Sequence, residues 1–332
     1  MVRRLSCCVI LVLAFVPAAV ADGGGPGAGV LSGGLGVLSP NGKIRYITLA
    51  NAQTTALAAV QVGDGQVLRY TTLPGLWGVP SIGSDGSTGG LSADGRTLVL
   101  GGAAPPQGPL RTVTNFTTID TRSLSPRGTF SLPGDWAFDA LSPAGAKLYL
   151  IHHVSQANAA RYVVRAYDLR IGLLLPGRIA DRTQPGWVMQ GYAATRATSP
   201  DGRWVYTLYQ NPGGYPFVHA LDTVRGVAHC IGLPWQGNQS GLYNIRLSLR
   251  DGGRTLAANW RTGRPYLSVD TANWRVSQPG GSFPRWILAA ALAALAAMLV
   301  STVLAARRLR LRQDRQHEPV EGLGLAPGRG VL

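Results

Sequence analysis

The side chains able to do chemistry in this chain are few, and their spacing suits structure better than catalysis. Between residues 22 and 280 there are four histidines (His152, His153, His219 and His229), one cysteine (Cys230), thirteen aspartates and no glutamate. Adjacent residues on a strand point to opposite faces, so His152 and His153 cannot both face one ion without a bulge. His219 and His229 flank one hairpin turn as candidate cross-strand neighbours, yet two imidazoles are too few for a closed zinc site. Glycoside hydrolysis needs paired carboxylates, commonly with a Glu as general acid. An all-Asp pair is conceivable, but Asp94, Asp120, Asp168, Asp201, Asp222, Asp251 and Asp270 stand where turns need a side-chain acceptor. No His-Asp pair travels with the recurring serines, so no activated nucleophile is visible. The sequence therefore predicts no catalytic, metal or cofactor-binding residue.

The elements that would have to position such groups come from a repeat. Five times, at intervals of roughly 50 residues, a Ser opens a tight turn followed by strand-like runs, an Asp-bearing turn and a closing Pro; such a period marks stacked or radial repeats. The openings are Ser39-Pro40-Asn41-Gly42, Ser92-Ala93-Asp94-Gly95, Ser142-Pro143-Ala144-Gly145, Ser199-Pro200-Asp201-Gly202 and Ser248-Leu249-Arg250-Asp251-Gly252. Asn-Gly and Asp-Gly pairs suit a hairpin turn that requires positive φ. The third copy reads as four strands: Trp136 to Leu141, Lys147 to Ile151, Tyr162 to Tyr167, and a run from Leu173 onward. Four antiparallel strands are the content of one propeller blade. A Trp follows the closing Pro at Trp77, Trp136, Trp187 and Trp235, which predicts packing between blades. The later turn pairs Asp120 with Gly128 and Asp222 with Gly226.

The two ends predict an address. Arg3 and Arg4, an apolar run from Leu5 to Val16 and a small-residue ending at Ala21 read as a secretory signal peptide over 1–21, with an uncleaved anchor as the other reading. Residues 286–306 carry no charge and are long enough to cross a membrane, and Arg307, Arg308, Arg310, Arg312 and Arg315 follow at once. By the positive-inside rule the C-terminus is cytoplasmic. The expected organisation is an extracytoplasmic domain over 22–280, a linker over 281–285, one transmembrane helix over 286–306 and a basic, disordered tail over 307–332.

The net charge of +15 comes almost wholly from arginine, with only Lys43 and Lys147 as lysines. The basic residues are scattered through the repeats and not clustered with aromatics, which argues against nucleic acid. An exported basic surface meets anionic envelope polymers or lipid headgroups first. One cysteine left in the domain cannot form an internal disulfide, so an apolar core must hold it, and Cys230 itself reads as a small core residue in a strand. The Gly-rich stretch 23–36 has GxGxxG-like spacing, but no strand precedes it and it reads as a linker and first strand.

The words Ser199-Pro200-Asp201-Gly202-Arg203-Trp204-Val205-Tyr206, the strand ends at Asn211, Asn51 and Asn259, and the runs Leu221-Asp222-Thr223 and Val269-Asp270-Thr271 resemble the YVTN family of β-propeller repeats, akin to WD40-like and TolB-like propellers. The resemblance spans essentially the whole of 22–280. It implies an all-β propeller and is silent about function; the closing prolines Pro26, Pro74, Pro133, Pro185, Pro234 and Pro279 bracket five units, which predicts about five four-stranded blades, with six or seven as the alternative. Gly101-Gly102 and His152-His153 replace the usual strand ending in two copies.

A propeller is a rigid frame whose loops vary freely, so function belongs to the loops. The longest variable loops are 81–90, 101–114 and 154–161, and their candidate contact residues are Ser84, Asp85, Arg111, His152, His153, Gln156 and Arg161. The expected function is a membrane-anchored binding scaffold outside the cytoplasm, its partner a protein or an anionic envelope polymer. The alternatives are a propeller hydrolase or lyase with Asp, His and Arg converging on the central channel, and a single-pass envelope sensor. Oligomeric state is left open.

Overall fold

The computed structural model describes residues 30–31, 36–103, 110–184 and 186–279, with the isolated helical positions 298, 300 and 302. The chain divides into two units, Met1–Pro279 and Gly280–Leu332, and every described strand belongs to the first. The expected signal segment 1–21, linker 281–285 and tail 307–332, and nearly all of the expected span 286–306, lie outside the described residues. Among the described residues no helix is long and apolar enough to cross a membrane.

A two-residue strand, β1 (Val30–Leu31), precedes five antiparallel sheets. Blade 1 is β2 (Val37–Leu38), β3 (Ile44–Ala50), β4 (Thr54–Gln61) and β5 (Val67–Pro74); blade 2 is β6 (Trp77–Pro80), β7 (Thr97–Gly102), β8 (Val113–Asp120) and β9 (Ser125–Pro133). Blade 3 contains β10 (Asp135–Leu141), β11 (Lys147–His153), β12 (Arg161–Asp168), β13 (Leu173–Leu174) and β14 (Met189–Gln190). Blade 4 is β15 (Tyr192–Thr198), β16 (Trp204–Gln210), β17 (Phe217–Asp222) and β18 (Val227–Gly232); blade 5 is β19 (Ile245–Arg250), β20 (Thr255–Trp260), β21 (Pro265–Asp270) and β22 (Val276–Ser277). Strands pair in chain order within the sheets, except that β14 of blade 3 pairs with β12, and β1 adds to the free edge of β6. The five units bracketed by the closing prolines are thus five sheets.

Local chemistry explains why the phrase recurs. In the first hairpin turn the Ser carbonyl accepts from the Gly N–H (Gly42 to Ser39, 2.8 Å), while the Ser hydroxyl accepts from the start of the next strand (Ile44 N–H, 2.9 Å). The Asn carboxamide or Asp carboxylate takes the Ser hydroxyl, as Asp94 takes that of Ser92 at 2.6 Å. In the first four copies only the Gly adopts positive φ, at Gly42, Gly95, Gly145 and Gly202, while in the fifth both Asp251 (+54°) and Gly252 (+66°) are left-handed.

In the later turn the left-handed position is Gly65, Leu124, Gly172, Gly226 and Trp274, each donating its N–H back to the residue four before it. Gly128, paired with Asp120 on sequence grounds, instead lies within β9 as the register partner of Thr118, next to the bulge at Arg127. Leu124 tolerates φ of +59° because its side chain is wholly buried between blades 1 and 2. The Thr after the Asp then ties the two turns together, with Thr121, Thr223 and Thr271 donating to the carbonyls of Gly95, Gly202 and Gly253.

The Pro-Gly-x-Trp junction is a second stitch. Thr55 donates its hydroxyl to the Gly75 carbonyl and accepts the Trp77 N–H, both at 2.9 Å, while the Trp77 indole caps the Pro74 carbonyl at 2.7 Å. Thr114, Gly134, Pro133 and Trp136 repeat the arrangement with the same distances. Trp77 and Trp136 are buried between blades, as their spacing predicted.

Four apolar cores fill the interfaces of blades 1 and 2, 2 and 3, 3 and 4, and 4 and 5. Among the described residues no fifth core joins blade 5 to blade 1. The far face of blade 1 leaves Leu49, Val67 and Tyr70 exposed, and that of blade 5 carries Ser248, Asn259 and Ser268. The fourth strand of blade 3 also departs from expectation. It breaks after Leu174 into an excursion that returns at Ile179, bridged to Val164, and again at β14, and it sets Asp181 beside Ala228 of blade 4.

Candidate functional site

Loop 81–90, the first of the candidate contact loops, runs inward. Its base is the Ser81 to Thr88 bridge beside β6, and its tip reaches the innermost strand of blade 4. There the N–H groups of Ser84 and Asp85 donate to the carbonyls of Ala193 and Ala194 at 3.1 and 3.2 Å. Those carbonyls are available because β15 bulges between Ala193 and Thr195, which frees backbone groups from the ladder. The approach needs glycine: a Cβ on Gly89 would lie 2.7 Å from the Phe138 ring, and one on Gly83 3.0 Å from the Ala194 carbonyl. Thr88 also bonds the Gly36 carbonyl at 2.7 Å, and the Asp85 carboxylate lies 3.9 Å from Arg246 in blade 5. One insertion thus contacts all five blades and closes the axis around which the inner strands gather. Ser84 is exposed at its tip and Asp85 is half-buried, with its side chain largely enclosed.

Three further candidates come together where blade 3 begins. Asp135 opens β10 and pairs across the ladder with His153, which ends β11. The carboxylate accepts from His153 Nδ1 at 2.7 Å and from Arg111 Nε, and Arg111 also donates to the Trp136 carbonyl at 2.9 Å. Burial would raise the Asp135 pKa, but the His153 hydrogen bond and the Arg111 charge outweigh it and hold the group at about 2. His152, on the opposite face, stacks on Trp136 with centroids 3.9 Å apart and planes 5° from parallel. Burial lowers its pKa and keeps the ring neutral. The remaining candidates, Gln156 and Arg161, are exposed in the β11 to β12 connection and do not join this cluster.

A carboxylate and an imidazole in contact are two parts of an acid-base device, but this pair lacks access. His153 Nε2 is buried with no partner, and no hydroxyl or thiol is hydrogen-bonded to it among the described residues. The cluster clamps the chain after 101–109 to blade 3. Sequence reasoning misses Asp135 and gives Trp136 a packing role alone. The one visible signal is the charged residue inside Pro133-Gly134-Asp135-Trp136, where the first junction has Leu76.

A second polar group is sealed between blades 3 and 4. Arg196 in β15 donates to the carbonyl and carboxylate of Asp139 and to Thr207 Oγ1 at 2.9 Å. Asp139 occupies a bulge in β10, which turns it toward blade 4; it is 1% exposed, and the Arg196 side chain 7%. Tyr162, Tyr209 and His219 lie in the same interface, and each has a buried polar atom without a hydrogen-bond partner, as does Asp139 at Oδ2. Burial raises both tyrosine pKa values and lowers that of His219, so all three are neutral in the fold. His219 Nδ1 lies 3.5 Å from Cys230 Sγ, and His229 belongs to a different partner, Asp181, at 2.9 Å. Among the described residues no group of three or more His, Cys, Asp or Glu is placed to hold a metal ion.

Cys230 is the free thiol of this region, and burial pushes its pKa up to about 12. A protonated thiol is a poor nucleophile. The folded protein is expected to resist a disulfide-exchange reagent at pH 8 and to react stoichiometrically once denatured; rapid labelling of the native chain would contradict this.

No protein-family model and no curated protein matches the chain. Solved structures similar to it include the hydrazine synthase of Kuenenia stuttgartiensis (16% identity over 70% of this chain and 63% of that one, TM-score 0.44). TolB from Acinetobacter baumannii is similar at 16% identity over 75% and 56% (TM-score 0.40), and the Myceliophteria thermophila Cps50 (Swd1) β-propeller domain at 9% over 76% and 73% (TM-score 0.42). The chain spans less than two thirds of the length of the first two. At these values nothing about ligand or activity carries across, and the propeller architecture rests on this chain's own five sheets.

Proposed function

We propose that this chain is an exported, single-pass membrane protein whose propeller is a non-catalytic binding scaffold for an anionic partner in the cell envelope. The observation that carries this reading is the accounting of charge. Each of the twelve described aspartates accepts a hydrogen bond or ion pair from within the chain. Arg96, Arg122, Arg161, Arg225, Arg254, Arg261, Arg264 and Arg275 are exposed around them. Those carboxylates keep their charge, several of them at the surface, but the 22 lysines and arginines of residues 22–280 outnumber the 13 aspartates, so the surface presents an excess of guanidinium groups to an anion. The channel reading has less support: the axis is occupied by loop 81–90, and Asp139 with Arg196 is sealed between blades.

The test is binding by the full chain in nanodiscs of zwitterionic lipid. A polyanionic glycan is expected to bind and to weaken steeply as salt rises, because exposed charges are screened within about 8 Å at physiological ionic strength, while neutral dextran does not bind. Absence of binding at low salt would sink the reading. The topology part is checked separately by N-terminal sequencing of the mature protein, expected to start near residue 22, and by a C-terminal tag that stays protected from external protease in intact cells.

A further inference from the structure

The Pro234-Trp235 junction departs from the arrangement that the junctions opening blades 2 and 3 share. In blades 2 and 3 the Trp after Pro-Gly is buried and its indole caps the preceding Pro carbonyl. At Pro234-Trp235 the Gly is missing; the Trp235 indole N–H instead donates forward to the Asn238 carbonyl at 3.2 Å, and the ring is only half-buried. It meets Trp260 at 6.0 Å and Tyr266 at 5.3 Å between centroids, and those two rings meet each other at 5.8 Å. The Tyr266 hydroxyl is tied to the Pro234 carbonyl. Two of the three rings thus have their polar handles satisfied by backbone, so they are held in place and present carbon faces.

Beside this aromatic platform a cleft of about 380 Å³ is lined by Asn244, Trp260, Arg261, Thr262 and Arg264. The β20 to β21 hairpin that carries it is rigid: Trp260 N–H donates to the Arg264 carbonyl at 2.8 Å, Gly263 turns back to Trp260 at 2.7 Å with φ of +85°, and Arg261 N–H anchors to the Asn244 carbonyl at 2.7 Å. The guanidinium groups of Arg261 and Arg264 are exposed and have no carboxylate partner among the described residues. No carboxylate lines the cleft.

We infer that this cleft is the binding site for an acidic glycan, one carrying phosphate or uronate groups. A pyranose ring lays its C–H face on aromatic carbon, as apolar contact demands, while its anionic substituent meets guanidinium groups able to make paired, charge-assisted hydrogen bonds. Asn244 and Thr262 supply uncharged polar groups for hydroxyls. The platform is preformed, so little ordering cost is paid on binding. This inference rests on the scaffold reading and names its site.

The full chain in zwitterionic nanodiscs is titrated with an oligogalacturonate, a phosphoglycan, neutral dextran and a single-stranded oligonucleotide, with tryptophan fluorescence and calorimetry as readouts. One or both acidic glycans are expected to perturb tryptophan emission and to bind. Trp260→Ala and the double variant Arg261→Ala/Arg264→Ala should each weaken binding on the order of tenfold, the loss of a charge-assisted contact or an aromatic face. Arg178→Ala/Arg182→Ala, the same charge change on the exposed excursion of blade 3 and outside the anion-facing set, should leave affinity within about twofold. Equal losses from the two arginine pairs, or tighter binding of the oligonucleotide than of either glycan, would overturn the site assignment while leaving an anion-binding scaffold. No binding of any polyanion by the wild type would remove both.

Discussion

Arg196→Met is expected to destabilise the protein by about 3–5 kcal/mol, the cost of leaving one member of a buried ion pair without its partner. In the native protein the Arg196 guanidinium is almost fully enclosed and satisfies the Asp139 carbonyl and carboxylate as well as Thr207. Methionine keeps the volume and removes all three donors. Asp139 then holds a carboxylate at 1% exposure with Oδ2 already unpartnered, between tyrosines that carry unpaired hydroxyls of their own. The double variant Asp139→Leu/Arg196→Met should recover most of the loss, because exchanging a whole buried pair for apolar residues is often neutral. Thermal and urea midpoints of the full chain in detergent, followed by near-UV circular dichroism, decide the matter. A single variant costing under about 1 kcal/mol, or a double variant as unstable as the single, would show that the pair is not what holds blades 3 and 4 in register.

The second large effect is on acid stability. Asp135 has a folded pKa of about 2 against an ordinary 3.8, so folding is favoured by its ionisation. Its contribution is fully present above the unfolded value and disappears as pH falls from about 4 through about 2. At 1.36 kcal/mol per unit this amounts to roughly 2 kcal/mol. Other carboxylates, among them Asp181 and Asp222, are lowered too, and His219 is kept neutral by burial, so wild-type stability falls on acidification for several reasons. The specific prediction is therefore a difference. Asp135→Asn should be about 2 kcal/mol less stable than wild type near pH 6 and close to it at pH 2, where the folded wild-type carboxylate is about half protonated and most of its contribution is gone. Parallel stability curves for the two proteins across that range would mean that Arg111 and His153 do not stabilise the fold through Asp135.

Both effects fall on residues that sequence reasoning passes over, whereas the repeated words are legible. Ser39, Asn41 and Gly42 close their turn with bonds among themselves and the next strand, and Thr55, Gly75 and Trp77 make one junction within about two strands of each other. Interactions of that kind recur wherever their residues recur, so a periodic phrase reveals them. Composition alone still misassigns one position: Gly128 suits a turn glycine, yet buried Leu124 holds the left-handed conformation, since burial can offset a backbone cost that is invisible locally.

The candidate residues divide for the same reason. Arg111, His152 and His153 read as loop residues, and the structure gathers them around Asp135 and Trp136, which lie across a connection or a hairpin from them. Ser84 and Asp85 belong to a loop that lies at the axis, because a Gly-rich insertion can pass inward as readily as outward and nothing in its own residues says which. The aromatic trio draws Trp235, Trp260 and Tyr266 from the junction and the hairpin of neighbouring blades, and only the missing Gly at Pro234-Trp235 hints that this Trp has a different task.

By itself, then, the sequence determined the five repeat units and the residues that recur in their turns and junctions, because these depend on contacts within a repeat and are written out five times. The tertiary structure alone decided that the axis is closed by loop 81–90, that Asp139 meets Arg196 across 57 residues, and that Trp260, in contact with Trp235 and Tyr266, shares one rim with Arg261 and Arg264. Those pairings join different repeats at single, non-recurring positions, and their partners become neighbours only when blades pack.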